Sequence, residues 1–213
     1  MPRLMDLGLE KLTTMLSEMA SLSEKSVSDS IEAYMEGRNI ADQIRTSSEQ
    51  LRLLQEEATD LATEMIARYQ PVASDLRYIR ACLEISYGFS RFGRYAYDIA
   101  EVLEVFPDLA SCDHSTVEET AKVTKEMIRM SIDAFSKRDI ELAKSVEKMD
   151  DFVDEKYRAH VNRILHDGEM SGNLKCYLSA TLIMRYLERI ADHSAYIGDS
   201  VVYIITGQRT SRK

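Results

Sequence analysis

Only three prolines, Pro2, Pro71 and Pro107, and eight glycines punctuate a chain of 213 residues. Sandwiches, barrels and doubly wound sheets need turn residues every few positions, and this chain does not supply them. It is therefore expected to be all-α and built from long rods. With 45% hydrophobic and 30% charged residues it has the composition of a globular protein, not of a disordered one.

Apolar spacing marks out the rods. Leu9, Leu12, Met15, Leu16 and Met19 recur at intervals of three and four, predicting a helix over 4–35 that stops at Gly37. A second is predicted over 39–69, because the residue before Pro71 is driven out of the helical region. A third spans 72–106 and is closed by Pro107. At 1.5 Å per residue each would be about 45 to 50 Å long. The stretch Asp108, Ser111, Cys112, Asp113 and His114 breaks the periodicity. After it, Ser115-Thr116-Val117-Glu118 reads as a capping box opening a fourth helix that ends near Lys137. Asp139 is placed to cap a fifth, running to about His166. A loop with Gly168, Ser171 and Gly172 leads into a sixth that stops at Gly207.

Three helices thus lie on each side of Pro107, and the halves match. At an offset of 98, Ser90-Arg91-Phe92-Gly93-Arg94 falls on Glu188-Arg189-Ile190-Ala191-Asp192, and Gly37-Arg38-Asn39-Ile40 recurs as Lys137-Arg138-Asp139-Ile140. This is the pattern of a tandem duplication, giving two antiparallel three-helix bundles in series, 1–107 and 108–213.

Net charge is −9, with 11 Lys/Arg against 18 Asp/Glu in 1–107 and 16 against 18 in 108–213. Neither half is the basic surface that releases counterions from phosphates, so direct nucleic-acid contact is not expected. The three cysteines, Cys82, Cys112 and Cys176, form no C-x-x-C and give no sign of a disulfide framework or thiolate zinc site. No apolar run is long enough to span a bilayer, and no signal-like segment opens the chain. The expected compartment is the cytoplasm, with membrane contact peripheral at most.

Chemistry concentrates on the last two helices. The fifth has an apolar seam at Ala143, Val146, Val153, Tyr157, Val161 and Ile164, and Asp150 falls within it. Asp154 projects from the same side one turn later. On the sixth helix, which is apolar nearly all round and so expected to be central, Glu188, Asp192 and Asp199 fall within a stripe of roughly 40°. Two readings stay open. The carboxylates are salt-bridged by Arg185, Arg189 and by Lys148 or Arg158, or the pairs Asp150/Asp154 and Glu188/Asp192 face each other around a cation. All-oxygen donors suit iron, manganese or magnesium, and zinc less specifically. A ferritin-like di-iron site would need E-x-x-H motifs, and the sequence has none. His193 is expected to be a packing or surface histidine. No nucleophile, base and orienter arrangement and no Gly-rich phosphate loop is found, so an enzyme is not expected.

Gln70-Pro71-Val72-Ala73-Ser74-Asp75-Leu76-Arg77 resembles the opening of the third helix in the PhoU family of phosphate-uptake regulators. Glu188-Arg189-Ile190-Ala191-Asp192-His193, followed by Tyr203-Ile204-Ile205-Thr206-Gly207, resembles that family's last helix. The likeness implies a cytoplasmic accessory of phosphate transport that restrains the starvation response. Its implied partners are the phosphate ABC transporter ATPase, a sensor kinase or other regulator, and a second copy in a homodimer. It also implies a transition-metal centre, iron first among zinc, manganese and magnesium. The matching residues are Asp150, Asp154, Glu188 and Asp192, with Asp199 farther along the stripe. In the first repeat the family's carboxylate pairs are replaced by Ser90 and Arg94, and by Ser47 or Ser48 with Leu51 or Arg52. Metal is therefore expected in the second bundle only, with Arg94 neutralising Asp98. A metal-storage or redox bundle and a metal-free scaffold are the alternatives.

Overall fold

The computed structural model describes residues 4–166 and 174–209. It contains six helices, α1 (Leu4–Glu36), α2 (Ala41–Tyr69), α3 (Ala73–Val105), α4 (Ser115–Lys137), α5 (Ile140–His166) and α6 (Leu174–Thr206). The predicted loop with Gly168, Ser171 and Gly172 lies outside the described residues.

The helix ends follow from local chemistry. Gly37 turns left-handed at φ +67°, and the Arg38 amide closes back on the Ala33 carbonyl at 2.8 Å. Gln70, ahead of Pro71, leaves the helix at φ 46°. Asp139 caps α5 as expected, its Oδ1 accepting from the amides of Glu141 and Leu142 at 2.9 and 3.1 Å. The capping box expected at Ser115 does not form. Ser115 is already helical, its amide donates to Asp113 Oδ1 at 2.9 Å, and Glu118 N bonds the His114 carbonyl. Asp113, two residues upstream, supplies the acceptor the serine was expected to provide.

Each half is an antiparallel three-helix bundle. The halves succeed each other along the chain but stand side by side in space: α3 packs along α6, α1 and α2 cover α3, α4 and α5 cover α6, and α1 touches α4 lightly. One apolar core runs through the junction, from Leu12, Leu16 and Phe89 to Ile183 and Leu187. A smaller cluster of Met127, Val146, Val153, Ala191 and Ala195 lies among α4, α5 and α6. Small residues set the close approaches. A Cβ at Gly88 would meet Ile197 side-chain carbons at 3.1 Å, and Gly93 leaves the space that Leu51 fills. No helix among the described residues is long and apolar enough to cross a membrane.

The cysteine reading needs correction. Cys112 and Cys176 are disulfide-bonded, joining the α3–α4 junction to the start of α6 across 64 residues of sequence, and Cys82 is free and buried. Nothing in their spacing announces the pairing, because the fold alone brings the junction back against α6. With this pair bonded, the cysteine count no longer speaks for a reducing compartment.

Candidate metal centre

Two contacts fix the register of α5 on α6. Gly198 sits against the backbone of Ala143, and His160 Nε2 lies 3.2 Å from Thr181 Oγ1. In this antiparallel register Asp154 stands level with Glu188 and Asp150 with Asp192. The facing pairs expected from sequence are thus on adjoining helices at one height, above the small apolar cluster that contains Val153 and Ala191. Asp199 is not with them. It lies about 10 Å farther along α6 and lines a groove against α3 beside Arg80 and Glu84.

Glu188 is the most enclosed of the group, its side chain 12% exposed. Its Oε1 accepts from Arg185 Nη1 at 2.6 Å. Its Oε2 is buried without a hydrogen bond, the Arg189 Nε standing off at 3.6 Å. Burial, then the nearby charge of Asp192, push its carboxyl up to about 7, with Asp154 adding to the rise and Arg185 pulling it back. Arg189 Nη1 also reaches Asp192 Oδ2 at 3.3 Å, and Arg158 Nη2 reaches Asp154 Oδ2 at 2.7 Å. Asp150 is half-buried, with Oδ1 enclosed.

The arginines therefore neutralise the cluster as it stands, and among the described residues no three His, Cys, Asp or Glu side chains converge where they could hold an ion. The donors nevertheless fit a hard or borderline cation. A buried carboxylate oxygen lacks a hydrogen bond, like charges crowd it, and all the donors are oxygens. One competing pair is largely exposed: the Arg158 and Asp154 side chains are 73 and 30% exposed, and such a pair contributes about 0 to 1 kcal/mol.

The equivalent place in the first bundle is different. Arg94 Nη2 binds Asp98 Oδ1 at 2.8 Å, as the sequence led one to expect. Ser47 Oγ bonds the Gln43 carbonyl, and Arg52 is held by Glu49 and Glu56. His193, next to Asp192, is a packing residue. Its ring lies 5.8 Å from that of Tyr87 and 5.9 Å from those of Tyr95 and Tyr196, and burial, helped by Arg91, pulls its pKa down to about 4.

Fold and site together define an all-helical tandem of three-helix units with carboxylates retained on one unit. The family model described as PhoU domain matches residues 16–103 and 117–201, and the chain belongs to that family. It is 30% identical to the "phosphate-specific transport system accessory protein PhoU homolog" of Clostridium acetobutylicum, covering 97% of this chain and 96% of that one. A Thermotoga maritima relative, PhoU homolog 1 of the same description, is also 30% identical, covering 94 and 88%. The crystal structure of PhoU from Pseudomonas aeruginosa superposes with a TM-score of 0.84 at 27% identity, over 95% of this chain and 99% of that one. The Streptococcus pneumoniae phosphate transport system regulatory protein PhoU has a TM-score of 0.88 at 21% identity, over 98 and 100%, and shares the fold.

Proposed function

We propose that this protein is an accessory of a phosphate-specific transport system that represses phosphate uptake and the starvation response through protein contacts. The observation that carries this reading is the end-to-end match to a relative named as such an accessory protein. In the proposed arrangement it works in the cytoplasm against the membrane transporter's ATPase subunit and a sensor kinase or other regulator. Self-association is supported by an apolar end where Leu4, Leu7, Ile66, Tyr69, Val72 and Leu76 are all exposed. A deletion strain should keep phosphate uptake and starvation genes active in phosphate-rich medium, and affinity capture from such cells should recover the transporter ATPase. Full repression in the deletion strain would overturn the reading.

Metal binding belongs to the same proposal. Asp150, Asp154, Glu188 and Asp192 would hold a transition metal, iron first, with zinc, manganese or magnesium as alternatives. Bound there, the ion would supply charge neutralisation and a cross-link between α5 and α6. The residues' own part is to present oxygen donors from two helices at one height, above an apolar floor that strengthens their pull on a cation. A second reading, a metal-free scaffold, is favoured by the arginine pairs on Asp154, Glu188 and Asp192. Metal analysis of purified protein after reconstitution separates the two.

A further inference from the structure

Along the contact between α3 and α6 runs a groove of about 450 Å³, on a different stretch of α6 from Glu188. Its floor includes Ala81 and Gly88, and its walls carry Tyr87, Tyr196 and Tyr203. Tyr87 and Tyr196 are 50 and 52% exposed, yet both rings are held edge-on against the same half-buried His193 ring. Two fixed aromatic rings beside a shallow floor of small residues form a platform on which a planar ring can stack.

Both signs of charge line the groove, with its two arginines gathered at one end. In a chain of net charge −9, this groove brings Arg80 and Arg209 to one end, and Arg80 already lies over the Tyr203 ring at 5.7 Å. Arg77, on the same face of α3, lies beside Gly207. Its Nε is buried with no hydrogen-bond partner, a donor that an anion would satisfy. Glu84, Asp199 and Ser200 on the walls are acceptors and a hydroxyl suited to sugar hydroxyls or ring amines. The larger cleft between α1 and α4, about 870 Å³, has no comparable set. No Tyr, Phe or Trp lines it, and its Lys125 and Arg129 are engaged by Glu32 and Glu24.

We propose that the α3–α6 groove binds a free nucleoside phosphate, the base stacking on Tyr87 and Tyr196 and the phosphate held by Arg80 and Arg209. This goes beyond the transport reading and needs no metal at the carboxylates. A ring, a sugar and a phosphate each meet their own chemistry in one pocket of the size usual for small ligands.

Chelator-treated full-length protein titrated with fluorescent N-methylanthraniloyl-ADP, and by calorimetry with ADP, tests the site. The expected result is one saturable site per chain, with adenosine and inorganic phosphate each binding at least about tenfold more weakly than ADP. Arg80→Gln and Tyr196→Ala, both at exposed positions, should each weaken ADP by about tenfold or more with the helical circular dichroism unchanged. Asp154→Asn should leave ADP binding intact, which separates this site from the carboxylate cluster. No saturation by about 1 mM ADP would overturn the proposal. So would undiminished binding in both groove variants, phosphate alone matching ADP, or loss of binding in Asp154→Asn.

Discussion

Gly198 lies so close to Ala143 that a Cβ on it would stand 2.8 Å from the Ala143 carbonyl oxygen. That atom is backbone of α5 and has no rotamer by which to give way. Gly198→Ala should therefore push α5 off α6. The cost expected for overpacking, about 1 to 3 kcal/mol, outweighs the gain of about 1 kcal/mol from replacing a helical glycine by alanine. Urea denaturation reads the difference. Greater stability in the variant would show that the helices are not held at this distance.

Asp150→Asn together with Asp154→Asn should lower bound metal at least about tenfold, because α6 alone offers only Glu188 and Asp192. Ser90→Ala with Arg94→Ala should leave metal content unchanged, since neither residue is a carboxylate and Arg94 is occupied with Asp98. Plasma emission analysis after reconstitution and desalting measures both. Equal loss in the two variants would disprove a centre confined to the second bundle.

The Cys112–Cys176 bond closes 64 residues of sequence. Chain-entropy arithmetic for a loop of that length gives about 4 kcal/mol as its contribution to stability. Reductant, or Cys112→Ser, should lower the denaturation midpoint accordingly. A mass-tagging maleimide added in denaturant without reductant should label one cysteine, Cys82, and label three after reduction. Three labels in both conditions would refute the bond.

Most of the helix pattern is legible in sequence because it depends on neighbours: Gly37, Pro71, Pro107 and Asp139 act within a turn of themselves. The turn after α4 shows the limit. Arg138 takes the left-handed conformation that Gly37 takes after α1, closing the helix with the same two amide bonds, although the sequence repeat aligns Gly37 with Lys137. The second turn, 138–139, is two residues shorter than 37–40, and Arg138 spreads over the Tyr78 ring at 5.3 Å. At the candidate centre, spacing placed Asp150 and Asp154 on one face of α5, and Glu188 and Asp192 on one face of α6. How α5 sits on α6 at Gly198 was not readable, and neither was the choice of Asp199 to face α3. The groove tyrosines are not legible in sequence for a related reason. Tyr87 and Tyr196 are 109 positions apart, and along either helix alone each reads as an ordinary packing residue.

The pH dependence of the metal-free protein separates two neighbouring groups. Glu188 rises on folding from 4.5 to about 7, so between those values the folded chain holds more protons than the unfolded one. Its contribution to stability therefore falls as pH climbs from 4.5 to 7. His193 drops on folding from 6.5 to about 4, so between those values the unfolded chain holds more protons. Its contribution rises over 4 to 6.5. Between 4.5 and 6.5 the two oppose each other, each limited to about 1.4 kcal/mol per pH unit. Chelated parent protein should thus show a shallow dependence there, and a decline due to Glu188 between 6.5 and 7. Glu188→Gln should leave a curve that rises to pH 6.5 and then levels, while His193→Gln should leave one that falls from 4.5 to 7. Chemical denaturation of the three proteins across this range makes the comparison. Parallel curves for parent and Glu188→Gln would mean that the Glu188 carboxyl titrates alike in folded and unfolded chains, and that burial beside Asp192 and Asp154 does not hold it protonated.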